Sequence, residues 1–461
     1  FMAYFKRKGI FVKTINMTLI KSISGIRGTI GGGSGENLTP IDAVKFTAAY
    51  ATWLQEKNSK QDLKVIIGRD ARISGKMISS LVSNTLVGMG IDVIDLGLST
   101  TPTVEIAVGL EKADGGIIVT ASHNPKQWNA LKLLNEKGEF IDDKDGKRIL
   151  QIAEDQSYRF SLVDDLGTYS KVKDYLETHI DEVLKLPLVD AEAIGKANFK
   201  VVVDAVNSTG GIAIPNLLDR LGVECIKLYC DPTGEFPHNP EPLPEHLGEI
   251  SKRVVDEGAD LGLVVDPDVD RLAIVNEDGT MFGEEYTLVA CCDYVLQHTP
   301  GNTVSNLSSS RALRDVTVKN GGKYEASAVG EVNVVTKMKE VNAVIGGEGN
   351  GGIIYPELHY GRDSLVGVAL FLTHLSNLDL TVSELRASYP QYYMSKGKIA
   401  LDDSLDVDAL LFKMESEYRK DRPLTIDGVK IDFPEGWVHM RKSNTEPIIR
   451  VYAEADSQDK A

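Results

Sequence analysis

The sequence predicts three similar mixed-sheet α/β domains followed by a smaller α+β domain. At 461 residues the chain is too long for one compact core. An apolar strand running into a polar or glycine-rich loop recurs three times, and short strands around one helix follow. We expect domains near residues 17–170, 171–278, 279–390 and 391–461, after an N-terminal extension (residues 1–16) that is a candidate for disorder.

The first strand–loop unit alternates strands with a helix. Its predicted elements are a strand at 64–67 (KVII) leading to GRD at 68–70, a helix over 77–89, a strand at 91–94, and a strand at 116–119 (GIIV) leading into residues 120–122. Uninterrupted apolar strands alternating with helices predict parallel sheets covered on both faces. Loops at the carboxyl ends of such strands are where open α/β sheets bind ligands.

Two later segments repeat this pattern. The second unit has strands at 200–203, 225–229 and 262–265, with a helix around 214–221, and the third has a strand at 343–345. The letters ADGGIIV at 113–119 align with ADLGLVV at 259–265. This internal echo predicts that the first two units share one topology.

The segment after residue 391 has a different pattern. It holds predicted strands at 398–401, 429–433, 437–441 and 448–453, and a helix near 406–419. Short strands around a single helix predict a compact α+β domain.

Composition limits the classes of partner. The formal net charge of −17 argues against nucleic acid or an anionic membrane as the main partner, because either needs a net basic face. The four cysteines form no CxxC pair, and no apolar stretch approaches the length that spans a bilayer. So few thiols predict a reducing compartment, and we expect a cytoplasmic protein.

The loop at 120–125 (TASHNP) puts Ser122 directly after a buried strand. The proline cannot extend the strand and the asparagine suits a turn, so the serine hydroxyl is expected to be exposed on a rigid support. On this segment alone an ordinary turn serine is the better interpretation. A Ser–His hydrolase is a weaker one, because the GxSxG pattern is absent.

Three carboxylates stand at alternate positions in residues 266–271 (DPDVDR). Asp266, Asp268 and Asp270 follow a buried strand and would repel one another unless a cation lay among them. Ligands that are all oxygen suit Mg²⁺. An EF-hand is rejected because its sixth position requires glycine and Arg271 stands there. A solvated acidic turn remains the alternative.

Two further loops carry ligand-binding chemistry. Residues 346–352 (GGEGNGG) hold five glycines around Glu348 and Asn350, which could hydrogen-bond vicinal hydroxyls, although a flexible glycine turn explains the loop equally well. Residues 441–447 (RKSNTEP) combine two cations with hydroxyl and amide donors, an arrangement suited to phosphate, with a polar hairpin as the alternative. The candidate phosphate ligands there are Arg441, Ser443, Asn444 and Thr445.

These four loops, in this order, resemble the α-D-phosphohexomutase family. Its members carry a TASHNP-like phosphoserine loop, a DxDxDR metal loop, a glycine-rich sugar loop and an RxS[NG]TEP phosphate loop. The similarity runs from about residue 19 to the end and includes SGIRG at 24–28 and GEFPHNP at 234–240. It implies four domains in a heart-shaped molecule whose loops face a central cleft.

The resemblance also implies a mechanism. Ser122 would be phosphorylated in the resting enzyme, with Mg²⁺ held by Ser122, Asp266, Asp268 and Asp270. The phosphoryl group would pass to the hexose phosphate substrate, and hexose 1,6-bisphosphate would serve as intermediate and activator.

Four more residues receive roles from the resemblance. Arg27 and Arg271 would neutralise phosphoryl charge, and His123 would help to position it. Lys132 would be the general acid/base, a role for which neighbouring cations would have to lower its pKa.

The sequence motifs define the preferred sugar less well than they define the family. The GEGNGG form resembles the archaeal-type branch, which includes both phosphoglucosamine and phosphomannose mutases, and Val332 stands where the family often has a cation. We favour a phosphoglucosamine mutase, with phosphomannomutase/phosphoglucomutase as the alternative. A non-catalytic sugar-phosphate-binding protein and a haloacid-dehalogenase-type phosphatase with Asp266 as nucleophile are further alternatives. We expect a monomer or homodimer.

Overall fold

The computed structural model describes residues 17–22, 25–60, 62–400, 406–442 and 448–461. The chain forms four domains, each built on one sheet. The predicted extension at 1–16 lies outside the described residues. Within the described part of the chain, no helix is long and apolar enough to cross a membrane.

The first domain has a seven-stranded sheet in the order β1-β2-β6-β5-β3-β4-β7. Its strands are β1 (Ile20–Ser22), β2 (Gly25–Thr29), β3 (Lys64–Arg69), β4 (Asp92–Leu98), β5 (Gly115–Val119), β6 (Trp128–Leu134) and β7 (Tyr169–Lys171). Its helices are α1 (Pro40–Lys57), α2 (Gly75–Gly88), α3 (Thr101–Leu110) and α4 (Asp143–Asp155), with a 3₁₀ turn at Val163–Asp165. Val65, Ile66 and Ile67 in the central strand are completely buried, as predicted for a strand covered on both faces.

The second domain has a four-stranded sheet in the order β11-β10-β8-β9. Its elements are α5 (Tyr175–Leu184), α6 (Ala191–Ala197), β8 (Lys200–Asp204), α7 (Gly210–Arg220), β9 (Glu224–Leu228), a 3₁₀ turn (Pro244–His246), α8 (Gly248–Glu257), β10 (Leu261–Val265) and β11 (Leu272–Asn276). The helix predicted around 214–221 begins four residues earlier, at Gly210. A Cβ added at Gly210 or Gly211 would lie 2.4 Å from Val265 or 2.1 Å from the Cys230 carbonyl, so glycine allows the close packing of this first turn.

The third domain repeats this arrangement in the order β13-β12-β14-β15. Its elements are α9 (Glu284–His298), β12 (Asn302–Asn306), α10 (Ala312–Lys319), β13 (Tyr324–Ser327), α11 (Glu331–Val341), β14 (Ala343–Glu348), β15 (Gly352–Ile354), α12 (Ser364–Ser376) and α13 (Val382–Ser388). One apolar cluster runs through the second and third domains, so the two form a single packed body.

The fourth domain is smaller and has an antiparallel sheet in the order β16-β19-β18-β17. Its elements are β16 (Tyr393–Ala400), α14 (Val407–Glu417), a 3₁₀ turn (Arg419–Asp421), β17 (Val429–Phe433), β18 (Gly436–Lys442) and β19 (Ile448–Ala455). The predicted α+β character of this segment is confirmed.

The three α/β domains share a motif that places the candidate loops. The strand orders β6-β5-β3-β4, β11-β10-β8-β9 and β15-β14-β12-β13 correspond one to one. In each, parallel strands form the centre and an antiparallel hairpin, β5–β6, β10–β11 or β14–β15, completes a mixed sheet. The candidate loops at 120–127, 266–271 and 349–351 are the connections of these three hairpins.

Candidate active site

Ser122 occupies a strained turn directly after β5. Its backbone has a φ of 48°, in the left-handed region that non-glycine residues rarely adopt. The Thr120 hydroxyl accepts the Ser122 N–H at 2.9 Å and donates to Asp70 at 2.7 Å. The Ser122 side chain donates its hydroxyl hydrogen to Asp266 Oδ2 at 2.7 Å. The local conformation therefore aims the hydroxyl at the carboxylates of the second domain.

Arg72, which the sequence interpretation did not include, holds this loop through hydrogen bonds. Its Nε donates to Asp70 Oδ2 at 3.0 Å. Its two Nη groups donate to four backbone carbonyls of the serine loop, those of Ser122, Asn124, Pro125 and Trp128. All five guanidinium hydrogens thus have acceptors, which fixes the loop as a rigid unit. The signal that could have found it is the GRDAR string at 68–72, immediately after the first strand.

The three aspartates form one compact, buried cluster. Each offers a carboxylate oxygen within 4.8 Å of the other two. Asp266 Oδ1 accepts the backbone N–H groups of Asp270 at 3.1 Å and Arg271 at 3.2 Å, so the loop curls around this carboxylate. Val269, at the tip, has a φ of 64°, which a β-branched residue rarely adopts.

The cluster suits a divalent cation. Among the described residues, Asp268 Oδ1 and Asp270 Oδ1 are buried without a hydrogen-bond partner. Burial, together with the charges of Asp270 and Asp268, raises the pKa of Asp266 well above its usual range. Buried oxygens without donors are costly unless a cation binds them, and hard oxygen ligands suit Mg²⁺. The donor set therefore fits a magnesium ion.

Lys132 lies on β6 and reaches the same cluster. Its Nζ donates to Asp268 Oδ2 at 2.6 Å and to Asp270 Oδ2 at 3.2 Å. Burial favours the neutral amine, but the charges of Asp268 and Asp270 outweigh it and raise the pKa of Lys132 above its ordinary value. The general acid/base role would require a lowered pKa, and the shift has the opposite direction because the two carboxylates outweigh both burial and the nearby charge of Arg362.

Two guanidinium groups lie close to Ser122 with unused donors. The Nε atoms of Arg27 and Arg271 are buried without a hydrogen-bond partner among the described residues. Arg27 Nη1 donates to Asn124 Oδ1 at 3.2 Å, and Arg271 Nη1 donates to Glu241 Oε1 at 3.4 Å. Unpaired donors on two cations favour an anion with several oxygens, such as a phosphoryl group.

His123 lies against the serine hydroxyl, with Nδ1 3.3 Å from Ser122 Oγ. Burial, and then the charges of Arg271 and Arg27, lower its pKa well below the ordinary value. The ring is therefore neutral near pH 7 and can orient an oxygen atom without adding charge.

The glycine-rich loop is shorter than its letters suggest. Gly346 and Gly347 belong to β14 and pair with Ile354 and Ile353, so that only residues 349–351 connect the hairpin. Glu348 is the last residue of β14 and is buried. A side chain at Gly347 would meet the Gly352 carbonyl at 2.0 Å, which explains why strand residues here are glycine.

The Glu348 carboxylate is already held by three donors. Oε1 accepts from Asn306 Nδ2 at 2.8 Å and from the Gly330 N–H at 3.2 Å, and Oε2 accepts from Arg362 Nη1 at 2.8 Å. Asn350 is half-buried, and its Oδ1 accepts the Gly352 N–H at 3.3 Å. Glu348 is thus fixed in place with acceptor capacity to spare.

Arg362 is a second buried arginine that the sequence interpretation did not include. Its guanidinium contacts Asp270 of the second domain and Glu331 and Glu348 of the third. Burial would lower its pKa, but these three carboxylates raise it well above the ordinary value. No motif signalled it, because its partners lie far away in the chain.

The fourth loop contributes Arg441 at the end of β18. Its Nε and Nη1 are buried without a hydrogen-bond partner among the described residues, and Nη1 lies 3.7 Å from Asp427. These donors suit a phosphate oxygen. The predicted ligands Ser443, Asn444 and Thr445 lie outside the described residues.

A serine hydroxyl on a carboxylate cluster that fits a cation, flanked by guanidinium donors, is suited to phosphoryl transfer. Comparisons with known proteins identify the class. The chain matches the phosphoglucomutase/phosphomannomutase family over all four of its domains, with α/β/α domains I, II and III at residues 19–160, 177–279 and 283–393, and the C-terminal domain at 398–461. The chain belongs to this family and is a phosphohexomutase, an isomerase that transfers a phosphoryl group within its substrate.

Individual relatives are similar to this chain over nearly its whole length. A phosphoglucomutase/phosphomannomutase of Thermococcus kodakarensis is 34% identical over 94% of this chain and 95% of its own. A phosphoglucosamine/phosphogalactosamine mutase of Sulfurisphaera tokodaii is 32% identical over 95% of each. The fold matches that of a phosphoglucomutase/phosphomannomutase family protein of Burkholderia thailandensis with a TM-score of 0.82, at 24% identity, over 97% of this chain and 94% of that one. The predicted family, fold class and enzyme class are confirmed.

Proposed function

We propose that the enzyme interconverts hexose 6-phosphate and hexose 1-phosphate through a phosphoserine at Ser122 and a hexose 1,6-bisphosphate intermediate. The observation that carries the proposal is the 2.7 Å hydrogen bond from Ser122 Oγ to Asp266, within the three-aspartate cluster. A nucleophile in contact with a candidate cation site is the minimum arrangement for metal-assisted phosphoryl transfer.

The chemistry balances without a co-reactant. In the first half, the P–O bond to Ser122 Oγ breaks and a P–O bond to the free sugar hydroxyl forms, which gives the bisphosphate. In the second half, the other phosphate returns to Ser122 Oγ, and the isomeric monophosphate leaves. Each hydroxyl that is phosphorylated loses a proton, and the oxygen that leaves phosphorus gains one. Lys132 is our candidate for the group that carries this proton, a role that requires Mg²⁺ at the aspartates to offset the carboxylate charges that raise its pKa.

Several groups around Ser122 would together neutralise the negative charge of the phosphoryl group. Ser122 and the three aspartates would hold Mg²⁺, which when bound neutralises charge on the phosphoryl oxygens. Arg27 and Arg271 offer Nε donors that make no hydrogen bond to any described residue, and the neutral His123 orients the same oxygens.

The sugar phosphate spans from this centre to the fourth domain. We propose that Arg441, with Ser443, Asn444 and Thr445, binds the phosphate that is not reacting. Glu348 and Asn350 would hold the sugar hydroxyls between the two phosphate sites. The buried Nε and Nη1 of Arg441, which donate no hydrogen bond to the residues that the structure describes, support this assignment.

The preferred substrate is proposed to be glucosamine phosphate, with mannose or glucose phosphate as the alternative. Relatives of both names have similar identity, 34% and 32%, so the choice rests on activity. Initial rates on glucosamine, glucose and mannose 1-phosphates, with Mg²⁺ and a trace of the matching 1,6-bisphosphate, decide it. A large preference for the amino sugar supports the proposal, and comparable rates on glucose and mannose overturn it.

We also propose that the enzyme acts in the cytoplasm as a monomer or homodimer. Light scattering on the purified chain measures the oligomeric state directly. A larger assembly would contradict that part of the proposal.

The phosphoserine is tested by replacing Ser122. Ser122→Ala is expected to lose mutase activity by at least about four orders of magnitude, because the covalent route is removed. Incubation with ³²P-labelled hexose 1,6-bisphosphate should label the wild type in an acid-stable form and leave the variant unlabelled. Ser80→Ala, at an exposed position on α2, is the control and should keep full activity. Substantial turnover by Ser122→Ala would sink the mechanism.

A further inference from the structure

Arg362 joins three carboxylates that come from three separate elements. Its Nε donates to Glu331 Oε2 at 2.9 Å, at the start of α11. Its Nη1 donates to Glu348 Oε2 at 2.8 Å, at the end of β14, and its Nη2 to Asp270 Oδ2 at 2.8 Å, in the aspartate cluster. One side chain therefore contacts both the candidate cation loop and the candidate sugar loop.

We propose that Arg362 is a positioning residue that couples occupancy of the cation site to binding of the sugar hydroxyls. The inference rests on the proposed function, since it assigns the cation to the aspartate cluster and the sugar to Glu348. The coupling passes through one rigid, planar group, so a shift of Asp270 towards a cation is transmitted to Glu348.

The contact with Asp270 selects which oxygen faces the cation. Asp270 Oδ2 is occupied by Arg362 at 2.8 Å and by Lys132 at 3.2 Å. Asp270 Oδ1, by contrast, is buried with no hydrogen-bond partner among the described residues. Arg362 thus orients the carboxylate so that Oδ1, which lies 4.0 Å from Arg271 Nε and accepts no hydrogen bond from the described residues, is available as a ligand.

The contact with Glu348 does the same for the sugar loop. Arg362 donates a hydrogen bond to Glu348 Oε2, while Asn306 and the Gly330 N–H donate to Oε1. The carboxylate is therefore held at a set orientation, and a sugar hydroxyl has to bind it in that orientation.

The backbone around Arg362 is built to keep its side chain in this position. The side-chain stem passes over Gly352, where an added Cβ would lie 2.3 Å from Arg362 Cδ. The neighbouring Asp363 carboxylate is anchored by His179 Nε2 at 2.9 Å and by the Leu365 N–H at 2.8 Å. Because Asp363 is anchored and Gly352 leaves space for the side-chain stem, the Arg362 guanidinium has little freedom to move away from its carboxylate partners.

The test measures cation binding and sugar binding separately and together. Calorimetric titration of the full chain with Mn²⁺, with and without glucosamine 1-phosphate, reports the coupling without turnover. In the wild type we expect the sugar phosphate to change the Mn²⁺ affinity about five- to tenfold, and Mn²⁺ to change the sugar affinity by the same factor. In Arg362→Gln the coupling factor should fall to about one, with weaker binding of each ligand.

Two further variants keep the inference falsifiable. Arg362→Lys keeps the charge but cannot reach three carboxylates, so it should fold like the wild type and still lose the coupling. Arg314→Gln, at a partly exposed position paired with its neighbour Asp315 at 3.4 Å, is the control and should retain the coupling. If Arg362→Lys and Arg362→Gln bind both ligands with wild-type coupling, the inference is wrong.

Failure of the inference is distinguishable from failure of the proposed function. A wild-type enzyme that isomerises none of the three hexose phosphates refutes the function, whatever the variants do. An active wild type in which Mn²⁺ and sugar phosphate bind independently refutes only the coupling.

Discussion

At the scale of single residues, Lys132 supplies positive charge to the aspartate cluster. It neutralises Asp268 and Asp270 within a buried cluster and lies 5.5 Å from the centre of the Phe140 ring. Three carboxylates without any cation would repel one another strongly in a buried site. The ion pairs of Lys132 therefore offset part of the repulsion among these carboxylates.

Removing this lysine should make stability depend on the metal. Lys132→Met is expected to lower the stability of the metal-free protein by about 3–5 kcal/mol, because the buried Asp268 loses its cationic partner and Asp270 keeps only Arg362 as a close partner. Added Mg²⁺ should then raise the melting temperature of the variant more than that of the wild type. Thermal unfolding with EDTA or with Mg²⁺ measures both, and Lys137→Met, at an exposed position, is the matched control. Equal responses of Lys132→Met and the wild type to Mg²⁺ would contradict this account.

At the scale of elements, the candidate loops are hairpin connections stiffened by buried side chains. The serine loop between β5 and β6 is held by four hydrogen bonds from the Nη groups of Arg72. The same guanidinium stacks on Phe236 of the second domain, with 5.1 Å between the guanidinium carbon and the ring centre. The loop thus owes its shape to a side chain from another strand–helix connection. Its strained Ser122 backbone needs such support.

Replacing Arg72 should loosen the serine loop while preserving the charge. Arg72→Lys is expected to lower kcat by about a hundredfold or more, because a lysine cannot hold four carbonyls and the serine hydroxyl loses its fixed orientation. Hydrogen exchange at residues 122–128 should become faster in the same variant. Arg253→Lys, on the exposed face of α8, should change neither quantity. Unchanged exchange in the serine loop would show that Arg72 does not hold it.

At the scale of the whole molecule, the fourth domain is attached to the third by a polar interface. Arg311 donates to Asp432 and to the carbonyls of Pro434, Phe433 and Gly436. His439 lies at the same interface, where Nδ1 is 2.9 Å from Ser308 Oγ and Nε2 is 2.7 Å from the Asp427 carbonyl. A neutral ring satisfies both contacts, accepting from the serine and donating to the carbonyl.

Acid should weaken this interface. Burial lowers the pKa of His439 to about 4, although Asp427 opposes the shift; Lys430 and Arg441 reinforce it. The folded protein therefore binds fewer protons here than the unfolded chain, so this stability is present above about pH 6.5 and is lost as the pH falls towards 4. The loss from this one residue is about 3 kcal/mol.

A variant isolates this contribution from those of other groups. The stability difference between the wild type and His439→Asn, from urea unfolding, should shrink by about 3 kcal/mol between pH 7 and pH 4. Ser80→Ala, at an exposed position that does not titrate, should show no such trend. A difference that is independent of pH would mean that His439 does not titrate with folding.

Several features were predictable because their cause is local. The similar letters at 113–119 and 259–265 mark β5 and β10, and the aspartate in each segment accepts an equivalent backbone hydrogen bond. Asp114 accepts the Lys64 N–H at 2.9 Å, and Asp260 accepts the Lys200 N–H at 2.7 Å. The aspartate cluster was likewise visible, since its three carboxylates lie within five consecutive residues.

Sequence by itself thus determined the strand repeat, the four candidate loops and the family, because each is written in consecutive residues. Tertiary structure alone decided which side chains support them. The GRDAR string marks the position of Arg72, but Arg72 and Arg362 bind partners roughly 50 and 90 residues away, and no local pattern records which partners those are. The high pKa of Lys132 has the same origin, because it depends on carboxylates more than 130 residues distant that only folding brings within 3.2 Å.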